Sequence, residues 1–342
     1  MADSTSTRDA SPGPLRWGII GCGDVTEVKS GPAFQQADRS QLVAVMRRNA
    51  DKARNYAQRH NVARWYADAD ELISDPTVDA IYIATPPDSH AEYTRRVAEA
   101  GKPVYVEKPM ARTHGECEAM VSCCRAAGVP LFVAYYRRRL PLFLKAEELL
   151  RDGAIGDVRF VTLSLFGPPS EQDMDRRHQP WRVVPEIAGN GYFFDLGSHQ
   201  LDLLDYLLGP ISRAHGTAVN QAGRYDAADA VSASFQFESG VVGSGLWCFD
   251  AYEGSRTDRT EIVGNGGKLA FSTFDLATPL VLETGSGIES FNFPPPTHVQ
   301  QPLIQTVTDE LLGRGHCPST GESAARTNRI LELVCSDSDG RG

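Results

Sequence analysis

The chain has 342 residues, 41% hydrophobic and 23% charged, with a formal net charge of −10. This is the composition of a globular protein with room for two domains. An acidic balance without any Lys/Arg block argues against nucleic acid or an anionic membrane surface as a partner, and no apolar run approaches the roughly 18 residues of a membrane-spanning helix.

Residues 1–14 are polar and carry Asp3 and Asp9. They lack the apolar core of a secretory signal and are too acidic for a typical transit peptide, so a disordered tail is expected. Seven cysteines (22, 117, 123, 124, 248, 317, 335) include no C-x-x-C pair, which suggests reduced thiols in a cytoplasmic protein without a metal site.

From residue 15 short β-rich runs alternate with helical ones. LRWGIIG (15–21), QLVAVM (41–46), VDAIYIAT (78–85), PVYVE (103–107) and PLFVAYY (130–136) read as strands. Helical patterns cover 50–60 and 114–127. A further helix opens at Ser89, whose Glu92 three residues on makes a capping box, and ends before Gly101. Strands alternating with helices imply parallel pairing through right-handed crossovers, a doubly wound sheet. After about Arg137 the pattern changes. A helix at 141–151 leads into a strand at Val158–Phe166, a polar loop to 190 and a helix at about 193–208. Alternating segments then flank Glu238-Ser239-Gly240 and again Asn265-Gly266-Gly267, two hairpin signals. Helical patterns at 299–313 and 321–336 close the chain. The expected organisation is a tail (1–14), a dinucleotide-binding domain (15–137), and a substrate-binding and oligomerisation domain (138–342) built as an open, mostly antiparallel sheet with helices.

Gly21-Cys22-Gly23-Asp24-Val25-Thr26 lies between the first strand and a helix. Gly21 and Gly23 permit a tight turn and let a pyrophosphate reach the backbone amides of Asp24, Val25 and Thr26. The match to the dinucleotide fingerprint is partial, because Thr26 stands where a third glycine is usual. At the second strand's end an acid would hold the ribose of NAD, whereas arginine accommodates the 2′-phosphate of NADP. The chain has Met46-Arg47-Arg48-Asn49 there, with Arg47 standing 47 − 21 = 26 residues after Gly21. NADP(H) is favoured, with NAD(H) possible; the alternative is a pair of solvated arginines.

Parallel sheets bind ligands at the carboxyl ends of their strands. Thr85-Pro86-Pro87 with His90 ends one strand, and Glu107-Lys108-Pro109 ends another. Lys108 is thereby aimed where a nicotinamide lies, and its ammonium could hydrogen-bond an alcohol or carbonyl oxygen. In the second half Asp195, His199, Asp202 and Tyr206 form one helical stripe beside leucines. Such a stripe is either a solvated face or the lining of a site.

These pieces, with the D-x-G-x-H of Asp195-Leu196-Gly197-Ser198-His199, resemble the glucose–fructose oxidoreductase, inositol dehydrogenase and MocA-like family of NAD(P)-dependent oxidoreductases over about residues 15–336. The resemblance implies a Rossmann domain followed by a sheet that walls the substrate site and often joins subunits, so a homodimer or homotetramer. It also implies a cis bond before Pro109. By the same resemblance Lys108 orients the substrate and tunes the acid/base, His199 carries the proton, and Asp195 fixes the substrate or the imidazole. Arg137, Trp181 and Arg182 are further candidates for coenzyme binding, and Tyr136 and His178 for substrate binding. The expected activity is hydride transfer at a hydroxyl or carbonyl carbon of a sugar, polyol or related cyclic compound. A non-sugar substrate of the trans-dihydrodiol or biliverdin type, or a non-catalytic coenzyme-binding regulator, are the alternatives.

Overall fold

The computed structural model describes residues 13–336, so apart from Gly13 and Pro14 the expected tail lies outside the described residues. The first sheet contains β1 (Leu15–Ile20), β2 (Ser40–Met46), β3 (Arg64–Tyr66), β4 (Ala80–Ile83), β5 (Val104–Val106) and β6 (Leu131–Val133). All pairs are parallel, in the order β3-β2-β1-β4-β5-β6. This is the doubly wound Rossmann arrangement. Its helices are α1 (Asp24–Val28), α2 (Gly31–Gln36), α3 (Ala50–Arg59), α4 (Ala69–Ser74), α5 (His90–Glu99) and α6 (His114–Ala127).

The two-residue period of the strands divides their side chains between two cores. Ile20, Ile81, Ile83, Val104 and Val106 enter one core with Leu72, Val97 and Met120. Trp17, Tyr82 and Tyr105 enter the other, where Phe34 lies 5.0 Å from Trp17 and 5.2 Å from Tyr82. That aromatic layer is continuous with the core of the second sheet.

The expected capping box at Ser89 is not formed. Residues Pro87–Ser89 make a short 3-10 turn, and the Ser89 hydroxyl donates to Thr85 Oγ1 (2.7 Å) and the Pro86 carbonyl (3.0 Å) instead of capping α5. Where a cap is made, Thr113 accepts from the Glu116 amide and Gly128, at φ +68°, closes α6.

After α7 (Pro141–Arg151) the second sheet begins with β7 (Val158–Phe166). A short helix α8 (Pro185–Ala188), a π-helical turn at Phe193–Gly197 and α9 (Ser198–Leu208) follow. The remaining strands are β8 (Ile211–Val219), β9 (Ala230–Phe237), β10 (Val242–Cys248), β11 (Thr257–Gly264), β12 (Gly267–Phe271), β13 (Leu280–Thr284) and β14 (Gly287–Phe291). They are ordered β14-β13-β12-β11-β7-β10-β9-β8, antiparallel except where β7 pairs with β10. Both expected hairpins are present, linking β9 to β10 and β11 to β12.

One face of this sheet, including Val161, Leu163, Phe235, Trp247 and Ile262, is buried in the shared core. The opposite face carries Phe160, Val242 and Leu246, each more than two-fifths exposed, with Val242 paired beside Phe160. Helices α10 (Gln301–Leu311) and α11 (Gly321–Ser336) return to the first half, α10 against α2 and α11 against α6. Between them the Ser319 hydroxyl donates to the Val133 carbonyl (2.7 Å), and the Val133 amide donates to the Ser319 carbonyl (3.1 Å).

Candidate active site

The turn after β1 is held against β2, because the amides of Gly21 and Cys22 both donate to the Met46 carbonyl (2.9 and 3.1 Å). Gly21 has φ +91°, and a Cβ there would lie 2.6 Å from Thr85 Cγ2. Gly23 has ordinary extended dihedrals, and a Cβ on it would meet nothing closer than 3.8 Å. The two glycines thus serve different needs: Gly21 the turn itself, Gly23 an open approach to the amides at the start of α1. Thr26 faces inward, with its hydroxyl on the Gly23 carbonyl (2.8 Å) and its carbonyl accepting from Tyr56 (2.8 Å).

A cleft of about 730 Å³ runs from this turn along the carboxyl ends of the parallel strands to α9. Of the residues singled out from the sequence, Gly21, Gly23, Asp24, Val25, Arg47, Arg48, Thr85, Pro86, Glu107, Lys108, Tyr136, Arg137, Trp181, Arg182, Asp195 and His199 line it. Four do not. Thr26 is turned into the fold, as described. Pro87 is buried in the 3-10 turn. His90 is buried with its ring bonded to the carbonyls of Thr85 (2.7 Å) and Met110 (3.1 Å), so it ties two strand-end loops together. His178 is largely exposed and bonded to Asp175 (2.9 Å), away from the cleft.

At the β2 end, Arg47 Nη1 donates to the Cys22 carbonyl (3.2 Å), which draws its guanidinium beside the glycine turn. Neither Arg47 nor Arg48 has an ion-pair partner among the described residues. Two guanidiniums without an ion-pair partner among the described residues, beside an open glycine turn, suit a dinucleotide and its phosphates.

At the opposite end Lys108 stands just before a cis Lys108–Pro109 bond. Its ammonium bonds Asp195 Oδ1 (2.5 Å) and the Asp195 carbonyl (3.1 Å). Arg182, over the Trp181 ring, takes Asp195 Oδ2 (3.1 Å). Burial alone would raise the Asp195 carboxyl, but the Lys108 and Arg182 charges outweigh it and hold the group below its ordinary value. Asp195 makes no hydrogen bond to His199, so of its two expected partners the imidazole is not one.

The His199 ring is buried among Tyr135, Tyr136 and Phe274, and its Nδ1 has no hydrogen-bond partner. Burial first, then the nearby positive charges of Arg137, Lys108 and Lys29, hold it neutral to well below its usual range. The polar stripe is therefore not a solvated face, nor does all of it line the site. Asp202 is fully buried in a bidentate pair with Arg138 (2.8 and 2.6 Å), and Tyr206 donates to Glu147 (2.8 Å). A π turn takes more residues per turn than an α-helix, so a 3.6-residue stripe does not run straight through Phe193–Gly197.

Lys29, Tyr93, Phe274 and Gln300 also line the cleft and escaped the sequence reading. Gln300, at the start of α10, donates to Glu107 Oε1 (2.6 Å), to which the Tyr82 hydroxyl also donates. Nothing local in the sequence marks a contact that spans 193 residues. None of the seven cysteines forms a disulfide. Among the described residues no group of three His, Cys, Asp or Glu could hold a metal, and no helix is long and apolar enough to cross a membrane.

Comparison with known proteins accords with this geometry. Residues 15–135 match the oxidoreductase family model with an NAD-binding Rossmann fold, and residues 143–270 match the GFO/IDH/MocA C-terminal domain. An oxidoreductase of Formosa agariphila is 40% identical over 323 residues, 94% of this chain and 98% of that one. The mouse trans-1,2-dihydrobenzene-1,2-diol dehydrogenase is 32% identical over 287 residues, 82% of this chain and 80% of that one. A solved levoglucosan dehydrogenase, complexed with NADH and levoglucosan, superimposes with a TM-score of 0.85 at 23% identity, covering 95% of this chain and 97% of that one. The chain belongs to the GFO/IDH/MocA family of oxidoreductases, and residues 15–135 form its NAD-binding Rossmann fold.

The two glycines should respond differently to the same substitution. Gly21→Ala, which meets backbone and demands a left-handed conformation, should lower the unfolding midpoint and weaken coenzyme binding by at least about tenfold. Gly23→Ala should leave the midpoint near wild type yet weaken coenzyme binding as much. Thermal unfolding and fluorescence titration decide this, and equal behaviour of the two variants would contradict the division.

Proposed function

We propose that this protein is an NADP(H)-dependent oxidoreductase moving a hydride between the nicotinamide and a hydroxyl or carbonyl carbon of a sugar, polyol or related cyclic compound. The observation that carries the reading is the meeting of Lys108 and His199 at one end of the coenzyme cleft, the first fixed by Asp195 and the second held neutral. The bound nicotinamide supplies the hydride acceptor in one direction and the donor in the other. In the oxidative direction His199 takes the hydroxyl proton, the carbinol hydrogen leaves as hydride and the C=O bond forms. Lys108 hydrogen-bonds the reacting oxygen as its charge grows, and Asp195 with Arg182 keeps that ammonium in place. Residues 15–137 serve the coenzyme, and residues 138–342 serve the substrate and assembly. Two of the similar proteins, a trans-1,2-dihydrobenzene-1,2-diol dehydrogenase and a levoglucosan dehydrogenase, support a cyclic compound bearing hydroxyls. A non-catalytic regulator is disfavoured because Lys108, Asp195 and His199 are all kept.

The coenzyme preference rests on Arg47 and Arg48. A charge-assisted hydrogen bond is worth roughly 1.5–3 kcal/mol, about tenfold or more in affinity. NADPH should therefore bind well over tenfold tighter than NADH, and Arg47→Ala should erase most of the difference. Equal affinities of the wild type for the two coenzymes, by fluorescence titration, would refute the preference.

Lys108→Met should lower kcat at least about a hundredfold while NADPH affinity changes little. His199→Ala should do the same, and the double variant should lose less than the product of the two. Because only the neutral imidazole accepts a proton and His199 is held well below its usual range, oxidation should stay level from about pH 8 to below about 6.5 and fall only in stronger acid. Turnover of Lys108→Met near the wild-type rate, or loss of oxidation already above about pH 6.5, would count against these roles.

The exposed sheet face with Phe160, Val242 and Leu246 supports assembly as a homodimer or homotetramer, since exposed apolar sheet invites a partner. Light scattering at micromolar concentration tests it, and a monomer would contradict it.

A further inference from the structure

We propose that the substrate carries a carboxylate and that Arg137 receives it, so that the substrate class is a hydroxy- or oxo-acid derived from a sugar or cyclic polyol. The inference rests on the oxidoreductase reading above and narrows its substrate.

The chain as a whole is acidic, with a net charge of −10, yet its cleft is cationic. At the β2 end Arg47, Arg48 and Lys52 stand where coenzyme phosphates are expected. At the other end Lys29, Lys108, Arg137 and Arg182 face two carboxylates. Glu107 is engaged by Tyr82, by Gln300 Nε2 (2.6 Å) and by the Lys108 amide (3.0 Å). Asp195 is shared by Lys108 and Arg182. Among the described residues no carboxylate pairs with Arg137.

Arg137 is nonetheless only 5% exposed. Its Nε donates to the Thr273 carbonyl (2.8 Å), and its guanidinium lies 4.5 Å from the Phe274 ring centre and 4.9 Å from that of Tyr136. Nη1 is buried without a hydrogen-bond partner. Buried charges are normally paired, because leaving one without an anion or acceptor carries a large desolvation penalty. Two aromatic faces offset part of that penalty by cation–π attraction and fix the plane of the fork. What they leave is a planar donor edge of the kind that takes a carboxylate in bidentate fashion. Tyr136 and Phe274 also border the His199 ring, so an anion on Arg137 sits beside the acid–base group rather than at the coenzyme phosphates.

Calorimetry on the NADP⁺-loaded wild type with D-glucuronate, D-gluconate, a cyclic hydroxy-acid such as quinate, and the neutral partners D-glucose, D-glucitol and an inositol tests this. At least one acid should bind about tenfold or more tighter than its neutral partner. Arg137→Gln should abolish that margin with NADPH affinity unchanged, and Arg137→Lys should restore part of it. The inference is overturned if no acid outbinds its neutral partner in the wild type, if the margin survives Arg137→Gln, or if Arg137→Gln weakens NADPH binding instead. The wild-type comparison and Arg137→Lys decide the matter if Arg137→Gln does not fold. Acids that bind through Arg137 without any hydride exchange, read as NADPH absorbance, would sink the oxidoreductase reading and leave this one standing.

Discussion

The site depends on one buried carboxylate, that of Asp195, which holds two cations from two other parts of the chain. Lys108 comes from the end of β5 and Arg182 from the loop before α8, and each takes a different oxygen of the same group. A buried ion pair repays its desolvation only when its remaining hydrogen-bonding sites are filled. Here Arg182 fills the second oxygen, and the Asp195 carbonyl gives Lys108 another acceptor. The consequence is positional. Lys108 ends a three-residue strand and would otherwise be a long, mobile side chain; tied to Asp195 it has one place to be. Its neighbour Glu107 points the other way, into the aromatic layer, where Tyr82 and Gln300 hold it. Adjacent opposite charges at a strand end are therefore not a pair: Lys108 ties β5 to Asp195, and Glu107 ties it to Tyr82 and Gln300.

Much of this was legible because strong local rules govern it. The strand Val158–Phe166 and the helices His114–Ala127, Pro141–Arg151 and Gly321–Ser336 lie where pattern, capping and proline place them. Four strands escaped. Arg64–Tyr66 is a half-exposed three-residue edge, and Gly287–Phe291 is exposed along nearly its whole length, so neither presents the alternation by which a strand announces itself. Ile211–Val219 and Leu280–Thr284 do bury residues, among them Ile211, Leu280 and Leu282, and their place in the sheet comes from pairing with strands elsewhere in the chain. In the site, glycines and strand-end charges could be read because their meaning is local. His90 and Thr26 looked like cleft residues for the same reason, but their polar atoms are spent on backbone carbonyls that shape the loops. Gln300 and Phe274 reach the cleft only through the folding of distant segments, which no spacing encodes.

The surroundings of His199 bear on how its charge would change through a reaction. Burial among three aromatic rings and the charges of Arg137, Lys108 and Lys29 disfavour the imidazolium. That suits a ring which must be neutral to accept a proton, but it makes the proton costly to keep once accepted. The carboxylate proposed for Arg137 would change the balance. It would cancel the largest of the repelling charges in a low-dielectric pocket, where such a charge counts for more than in water. On that proposal the imidazole would be a better base only with the substrate in place, and a neutral polyol at the same position would meet a weaker base. Substrate charge would then enter twice, once in binding at Arg137 and once in the proposed proton transfer at His199.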